Sequence, residues 1–457
     1  MRFRIPLACL AVLALAATST TIAAAPASVA GPPGKWTRVT DTNGRSINEV
    51  GLARTADGVL HVVWQTESGA DEAVMHTAVS PGGNVGGKVT VVDGLDSLSN
   101  PDLLVEPTGG LRTLFGATTG SNELDGIRTA TATPDGASWT AQGSRASNSK
   151  QPDNVGAGVT SSGSPIFAWG ITGSLLVHTG VNSSTADLDL NTESKCCYYD
   201  PDLATDSAGG ETYAAWYSNA DGEFGTWVQR VAPSLGERMF VPGSAKNGQA
   251  LHPRNRTQIA SRLGAPGVYV AYCNGYPVCK QARVWRVGSG KPMVAGRDGD
   301  VESVGLSAGP GGRLWVYWQD NDGDVYKATR SNEAATRFGA IVPVKPPKGT
   351  VSLWHVAGEG SRGNLDLLAH VSTGNSTATW HTQIKPGLTL SCKGGKVVSC
   401  TVSDAGDPVG GAKVKVGGKS VTANSKGKMS VNLPPGTFVA RATRAGYTPA
   451  STRVKSK

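Results

Sequence analysis

The sequence predicts an all-β protein, and three features of the 457-residue chain support this fold class. A Gly-marked turn followed by an apolar strand recurs about every fifty residues. The chain contains 60 Gly, which suits many tight turns, and only 17% of its residues are charged, against roughly 25% in typical globular proteins. Repeats of about 40–50 residues built from short strands predict the blades of a β-propeller.

The repeat is defined by a strand that ends in an aromatic residue or, in the last copy, in histidine. Its clearest copies are DGVLHVVW, GGLRTLF, SGSPIFAW and GGETYAAW, which end at Trp64, Phe115, Trp169 and Trp216. Weaker copies end at Tyr272, Trp318 and His370. Seven copies predict a seven-bladed ring of four-stranded blades, and a six-bladed ring is the alternative if the last copy is a decayed unit.

The segment KWTRVTD (35–41) resembles SWTAQ, the fourth strand of the second repeat, whereas the seventh repeat is one strand short. We therefore expect residues 35–41 to complete the last blade. Pairing the two ends in this way closes the ring and leaves no long strand edge unpaired.

Residues 1–30 have the features of an export signal. Arg2 and Arg4 precede an apolar stretch from Ile5 to Ala17, and small residues surround two cleavage-like sites ending at Ala25 or Ala30. No later segment approaches the roughly 20 apolar residues of a membrane span. The sequence thus predicts a secreted protein that does not span a membrane, with attachment to the cell wall as an option.

Six cysteines follow the signal segment, and an even number in an exported chain predicts three disulfides. They are Cys196, Cys197, Cys273, Cys279, Cys392 and Cys400. Local pairing is favoured, and the alternative joins the first two to the next two across neighbouring loops. Cys392 and Cys400 flank a KGGK turn and are expected to join one hairpin. No CxxC motif or Cys/His cluster occurs, so neither a metal nor a cofactor is predicted.

The charge of the chain is divided unequally along its length. Residues 388–457 contain twelve Lys or Arg and two Asp, whereas residues 31–387 have a net charge of about −4. A basic tail on an acidic body predicts an anionic partner, such as a wall polymer, a lipid surface or an acidic glycan. A basic module that is simply solvated is the alternative.

From Leu388 onward the aromatic-ended repeat is absent and a new set of alternating strands begins. The segment opens with GDPVGGAKVKV (406–416), has an LPPG turn at 433–436, and closes with Gly446 and Tyr447. In these features it resembles the carboxypeptidase-regulatory-like or bacterial Ig-like families. The resemblance implies a small β-sandwich over residues 388–457, after a propeller over residues 31–387.

Acidic residues recur where the inner strand of each repeat begins, in NPD (100–102), QPD (151–153) and DPD (200–202). Inner strands line the central channel of a propeller, so these carboxylates are expected to circle its mouth. The set is Glu49, Asp102, Asp153, Asp202 and Glu302. Such a ring can bind a cation, accept hydrogen bonds from sugar hydroxyls or supply a general acid. Alternatively, an Asp after Pro caps its turn by bonding backbone N–H groups.

Two other pairs are expected at the same mouth. Arg254 and Arg256 interrupt the acidic ring and are candidates for holding an acidic group of a ligand. Tyr198 and Tyr199 are candidates for stacking on a sugar ring, with packing within the loop as the alternative.

The segment TPDGASW (133–139), between the third and fourth strands of the second repeat, is similar to the Asp-box of the sialidase-like (BNR-repeat) propeller superfamily, although one residue shorter. The resemblance covers about 34–387 and implies a glycan-directed propeller. The F/Y-R-I-P motif of working sialidases appears only at Phe3–Pro6, inside the export signal. With only Arg254 and Arg256 near the mouth, the arginine triad of those enzymes is missing, and sialidase activity is not expected.

Two functions follow as hypotheses. In the first, a secreted propeller binds or hydrolyses an extracellular carbohydrate at the channel mouth. If the protein is an enzyme, the acid and base candidates are Asp102, Asp153, Asp202 and Glu49. In the second, the propeller is a noncatalytic adhesion or scaffold protein that binds another protein while the basic tail binds an anionic surface. Nothing in the sequence predicts a nucleotide or nucleic-acid partner.

Overall fold

The computed structural model describes residues 35–40, 49–68, 71–118, 126–142, 146–147, 155–171, 173–182, 186–190, 198–218, 220, 222–244, 257–274, 279–297, 299–374 and 376–457. The predicted export signal (1–30) lies outside these residues. The described residues form β-strands and two 3-10 helices, Pro310–Gly312 and Asn321–Gly323. None of their helices is long and apolar enough to cross a membrane.

Seven antiparallel sheets follow one another between residues 37 and 384 of the described chain. The first sheet contains β2 (Val50–Arg54), β3 (Leu60–Ser68), β4 (Asp71–Val79) and β5 (Val89–Leu95). The second contains β6 (Ser97–Leu98), β7 (Asp102–Val105), β8 (Leu111–Thr118), β9 (Gly126–Ala132) and β10 (Trp139–Ala141). The third contains β11 (Val155–Val159), β12 (Pro165–Ile171), β13 (Ser174–Thr179) and β14 (Leu188–Asp189).

The next three sheets repeat this sequential order. The fourth contains β15 (Tyr198–Thr205), β16 (Thr212–Ser218), β17 (Gly225–Ala232) and β18 (Arg238–Phe240). The fifth contains β19 (Gln258–Ser261), β20 (Val268–Cys273), β21 (Gln281–Arg286) and β22 (Met293–Arg297). The sixth contains β23 (Val301–Ala308), β24 (Leu314–Asp320), β25 (Val325–Arg330) and β26 (Val342–Val344).

The seventh sheet combines the two ends of this region. It contains β27 (Ser352–Glu359), β28 (Leu365–Thr373) and β29 (Ser376–Ile384), and its fourth strand is β1 (Thr37–Arg38). Thr37 lies opposite His381 and Arg38 opposite Trp380. The prediction that the N-terminal segment completes the last repeat is confirmed.

The seven sheets form a closed circuit. The inner strands contact one another in the order β2, β7, β11, β15, β19, β23 and β27, and β27 returns to β2. This arrangement is that of a β-propeller, with the inner strands around a central channel. The aromatic strand ends fill the space between sheets: Trp64, Phe115, Trp169, Trp216, Tyr272 and Trp318 are each at most 4% exposed. These aromatic residues therefore pack between the sheets.

The segment 388–457, which we call the C-terminal module, has two further sheets. One contains β30 (Thr389–Lys393), β31 (Val397–Asp404), β32 (Asp407–Pro408) and β35 (Lys428–Asn432). The other contains β33 (Lys413–Val416), β34 (Lys419–Thr422), β36 (Gly436–Thr443) and β37 (Ala450–Ser456). Alternate residues of both sheets share one aliphatic core that includes Val398, Val402, Val414 and Ala440.

Disulfides join neighbouring strands in both regions. Cys392 is bonded to Cys400, which lies directly opposite it on β31, and Cys273 is bonded to Cys279. Both bonds follow the local pairing that the sequence predicts. Cys196 and Cys197 lie outside the described residues, and their pairing stays a prediction.

A buried ionic cluster connects the module to the sixth sheet. Asp404 is paired with Arg330 at the end of β25 and lies 3.7 Å from Arg313. Arg313 also pairs with Asp407 at 2.6 Å. Arg337 adds a 2.6 Å hydrogen bond to the carbonyl oxygen of Ala405. Charges this deeply buried require partners, so the pairs fix where the module sits on the propeller.

Candidate functional site

A cavity of about 280 Å³ occupies the centre of the propeller. Its wall includes the first residues of several inner strands and the last residues of others. Apolar side chains such as Leu52, Leu203 and Leu306 alternate there with polar ones. The polar side chains in the wall include Glu49, Asp102, Asp202, Tyr317, His355 and His370.

Asp102 and Asp202 hold equivalent positions, because the backbone of each packs against a glycine of the preceding inner strand, Gly51 or Gly156. A Cβ atom on Gly51 would lie 2.9 Å from the Cα atom of Asp102, and one on Gly156 would lie 2.6 Å from that of Asp202. Any larger residue would force the inner strands apart. The repeated NPD and DPD motifs therefore reach the channel in the same way.

The Asp102 carboxylate connects two inner strands. One oxygen accepts a 2.8 Å hydrogen bond from the N–H of Leu103, and the other accepts a 2.7 Å bond from the N–H of Ala157 on β11. Asp102 is also only 6% exposed. Its geometry matches the backbone-capping alternative that the sequence raised, although the side chain still lines the cavity.

Asp202 is more accessible and is positioned by a local distortion of the strand. Its carboxylate accepts a 2.8 Å bond from the N–H of Leu203. A β-bulge separates Tyr199 from Asp202, and Asp200 within it has a φ of 48°. Similar register shifts occur at the starts of β23 and β27. Bulges of this kind re-aim side chains near functional sites.

The remaining predicted carboxylates differ in position. Glu49 lines the cavity, and its N–H donates a 3.3 Å bond to the amide oxygen of Asn100. Glu302 is exposed and accepts bonds of 3.2 and 2.8 Å from the side chains of Gln319 and Asn321. It is absent from the cavity wall, so the structure brings Glu49, Asp102 and Asp202 together and leaves Glu302 outside.

Several predicted residues fall outside the described chain. Asp153, Arg254 and Arg256 are among them, and their place at the channel mouth stays a prediction. The backbone of Tyr198 and Tyr199 belongs to β15 and pairs with Ser218 and Tyr217.

Tyr317 reaches the channel from a second strand, and sequence reasoning missed it. A Cβ atom on Gly305 would lie 1.9 Å from the Tyr317 ring, so this glycine leaves the space that the ring occupies. The phenol donates a 3.1 Å hydrogen bond to the carbonyl oxygen of Gly358. Burial raises the pKa of Tyr317, and the nearby charges of Asp202, Glu359 and Glu49 act in the same direction. The phenol is therefore neutral and lies close to these carboxylates.

Two imidazoles form another part of the wall that the sequence did not indicate. His355 and His370 stack with ring centroids 6.4 Å apart, and Nδ1 of His370 lies 3.2 Å from the hydroxyl of Thr379. Burial lowers the pKa of His370 to about 3, and the adjacent His355 contributes to the shift. His370 is consequently a neutral hydrogen-bonding group at physiological pH.

An ionic network between the first and last sheets includes one residue of the cavity wall, Glu359. Arg54 pairs with Glu359, which lines the cavity, and at 2.5 Å with Asp366. Asp366 lies 2.8 Å from Nε2 of His381. Burial acts to raise the pKa of Asp366, but the bonds from His381 and Arg54 outweigh it and lower the pKa overall. The charge of Glu359 is thus balanced by Arg54.

The TPDGASW segment forms a tight turn against the first sheet. The Thr133 hydroxyl donates a 2.6 Å bond to Asp135, which lowers the pKa of Asp135, and the N–H of Ala137 donates a 3.1 Å bond to the same carboxylate. Trp139 packs against His76 with ring centroids 5.3 Å apart. This turn stabilises the contact between the first and second sheets, and its residues do not line the cavity.

In the part of the chain that the structure describes, no three His, Cys, Asp or Glu side chains converge in a way that could hold a metal ion. The polar side chains of the described cavity wall are carboxylates, imidazoles, hydroxyls, an amide and a phenol.

No family model and no curated protein sequence matches the chain. A similar solved structure is an ulvan lyase from a new polysaccharide lyase family, with 10% identity, a TM-score of 0.47, and coverage of 77% of this chain and 95% of the other. A second is the intramolecular trans-sialidase of Ruminococcus gnavus, with 8% identity, a TM-score of 0.43, and coverage of 64% and 96%.

A third is the α-L-arabinofuranosidase of Fusarium graminearum, with 10% identity, a TM-score of 0.43, and coverage of 76% and 96%. All three are carbohydrate-active enzymes by name. At TM-scores below 0.5 these likenesses assign no function to this chain, whose fold stands on its own sheet order.

Proposed function

We propose that this protein is a secreted, seven-bladed propeller that binds a neutral carbohydrate in its central channel. The observation that carries the proposal is the composition of the described cavity wall. Carboxylates, a neutral phenol and a neutral imidazole are set among leucines, and no Lys or Arg lies among the described lining residues. Sugar rings offer the matching chemistry, because their hydroxyls donate and accept hydrogen bonds while their C–H faces pack on apolar side chains.

The size of the cavity supports a short ligand. Its volume of about 280 Å³ is at the lower end of the roughly 300–1,000 Å³ of small-molecule sites. One or two sugar units fit this space, and a longer chain would extend out of the mouth.

The charge of the described wall favours a neutral sugar over an acidic one. Arg54 balances Glu359, and the described lining residues include the carboxylates of Glu49, Asp102 and Asp202 but no Lys or Arg. A uronate or sialate carboxylate would be repelled at this position, since like charges in a partly buried cavity interact strongly. The proposed role of Arg254 and Arg256 in binding an acidic group applies only if they turn toward the mouth.

Asp202 and Glu49 are the residues that we propose as acid and base if the sugar is hydrolysed. Both line the cavity, and both lie near enough to Tyr317 to influence its ionisation. Asp102 is a weaker candidate for this role, because its two oxygens already accept bonds from backbone N–H groups. We assign Asp102 mainly to supporting the wall, and Asp153 remains a further candidate.

The test is a screen of the purified chain against neutral, uronic-acid and sialylated oligosaccharides, by calorimetry and by release of reducing ends. Glu49→Gln and Asp202→Asn should each weaken binding of a neutral ligand by roughly tenfold or more, as loss of a hydrogen bond to a charged group does.

Glu302→Gln is the matched control, because it removes one carboxylate that lies outside the cavity wall. Its binding should equal that of the unaltered protein. Equal losses in all three variants, or a preference for acidic sugars, would contradict the proposal. Release of reducing ends that Asp202→Asn abolishes would extend the proposal from binding to hydrolysis.

A further inference from the structure

The outer face of one sheet in the C-terminal module is strongly basic. Residues alternate between core and solvent along β33, β36 and β37, as a half-buried sheet requires. Lys415 lies directly opposite Arg441, and Arg453 lies opposite the exposed Val439. We call this surface the basic face; its cations are Lys413, Lys415, Arg441, Arg453 and Lys455, all exposed.

No acidic residue of the module balances these charges. Residues 388–457 contain only Asp404 and Asp407 as acids. Asp404 pairs with Arg330, and Asp407 pairs with Arg313 at 2.6 Å. Both carboxylates are therefore used in the joint with the propeller, and the basic face has no internal counterion. Its potential extends into solvent and attracts anions.

The second sheet of the module provides a comparison within the same small domain. Its outer surface carries the exposed cations Lys393 and Lys428, set among serines and threonines. Lys393 lies opposite Ser399, and Lys428 lies opposite Thr401. The outer surface of one sheet thus carries five of the module's twelve Lys and Arg, whereas that of the other sheet carries two, a bias that a purely solubilising role does not require.

We propose that the basic face binds a linear polysaccharide that carries sulfate or phosphate groups. Neighbouring strands lie about 4.8 Å apart, and alternate residues on one strand lie about 6.6 Å apart. The five cations therefore form a dense, nearly flat array that can contact several anionic groups of one extended chain. Guanidinium groups bind sulfate and phosphate with paired hydrogen bonds. The hydroxyls of Thr437, Thr443 and Ser451 add neutral hydrogen-bonding groups on the same face.

The face fits this partner better than a membrane or a nucleic acid. Its one exposed apolar side chain is Val439, at 61% exposure, and no aromatic side chain of the module is exposed. Insertion into a bilayer relies on a larger apolar surface, and single-stranded nucleic acids require aromatic platforms for base stacking.

The experiment measures binding of the full chain to heparin and, separately, to poly(glycerol phosphate) at about 0.15 M salt. The double variant Lys413→Gln/Lys415→Gln should weaken binding by roughly tenfold or more, because it removes two contacts to anions. The matched variant Lys393→Gln/Lys428→Gln removes the same charge from the other sheet and should change the affinity by less than about twofold. A preference for one polymer distinguishes sulfate from phosphate as the natural anion.

Equal losses in the two double variants would overturn the proposal, because net charge alone would then explain binding. So would an absence of binding to both polymers. Tighter binding to phosphatidylglycerol vesicles, or to duplex DNA, than to either polymer would replace the polysaccharide with a membrane or a nucleic acid. Glu49→Gln, which alters only the channel, should bind both polymers normally, so failure of the channel proposal is distinguishable from failure of this one.

Discussion

The propeller and the C-terminal module both pack β-sheets against one another, but the propeller uses aromatic side chains and the module uses aliphatic ones. All eleven Trp and all seven His of the chain precede residue 388. The propeller packs large aromatic rings between its sheets and buries titratable groups beside its channel. The module packs Val, Ala and Leu and keeps its cations on the surface. The difference shows that sheets that diverge around a ring need large side chains to fill the space between them. Two small sheets that lie close together need smaller side chains.

The comparison also separates two kinds of recognition. In the proposed carbohydrate site, polar groups are partly desolvated, so hydrogen-bond geometry would select the ligand. On the basic face, exposed charges act through a field that salt screens within about 8–10 Å. The joint between the two regions is the one place where charges of the module are buried.

Lowering the pH should change the relative stabilities of the two regions more than any single substitution does. Burial lowers the pKa of His76 and of His370 to about 3. Between pH 6.5 and 3 the unfolded chain then binds more protons than the folded one, and stability falls as pH falls. Each imidazole contributes a slope of about 1.4 kcal/mol per pH unit. Denaturant unfolding followed by Trp fluorescence, which reports only the propeller, measures this effect.

The module has no histidine, so histidine protonation should add no slope to its own stability over that pH window. Hydrogen exchange of residues 389–457 provides the parallel measurement. His370→Asn should reduce the slope of the propeller by about one proton. Equal acid sensitivity of both regions, with an unchanged slope in the variant, would argue against the buried neutral imidazoles.

Removing Asp404 should break the joint and produce the largest effect of a single substitution. Asp404→Ala leaves the buried guanidinium of Arg330 without its carboxylate partner, and the expected loss is about 3–5 kcal/mol. Urea unfolding would then show two transitions in place of one.

Asp407→Ala is the control, because Asp407 is more exposed and pairs with Arg313 at the rim of the joint. Its loss should be about 1 kcal/mol. If both variants behave alike, the joint does not depend on the deeply buried pair.

Substitutions of Asp102 and Asp202 test whether the first residue supports the channel wall and the second binds the ligand. The expected changes in stability are smaller than for Asp404→Ala. Asp102→Ala removes a bond to the N–H of Ala157 on the next inner strand and should cost about 1–3 kcal/mol. Asp202→Ala should destabilise the protein less but weaken ligand binding more. The two variants would be compared by thermal unfolding and by calorimetry with a neutral oligosaccharide. A reversed order would exchange the supporting and binding roles of the two residues.

Much of the fold was predictable because strands and turns leave local signals. The aromatic-ended repeats correspond to the second strands of the sheets. The predicted completion of the last sheet by residues 35–41 is observed as the pairing of Thr37 and Arg38 with β29. The carboxylates Asp102 and Asp202 were also placed at the channel by their motifs. Glu302 has a different strand position: it lies opposite Gln319, just after Trp318, whereas Asp102 and Asp202 lie opposite the residues just before Phe115 and Trp216.

Sequence patterns predict the all-β class, the period of the sheets and the unequal charge of the two regions, and they favour the local disulfides that are observed. Each of these depends on residues close in the chain, through turn chemistry, alternation or composition. Only the tertiary structure decided that Tyr317 passes over Gly305 into the channel, that His355 stacks on His370, and that Asp404 meets Arg330. These contacts depend on how separate sheets approach one another, and no local pattern encodes the distance between them.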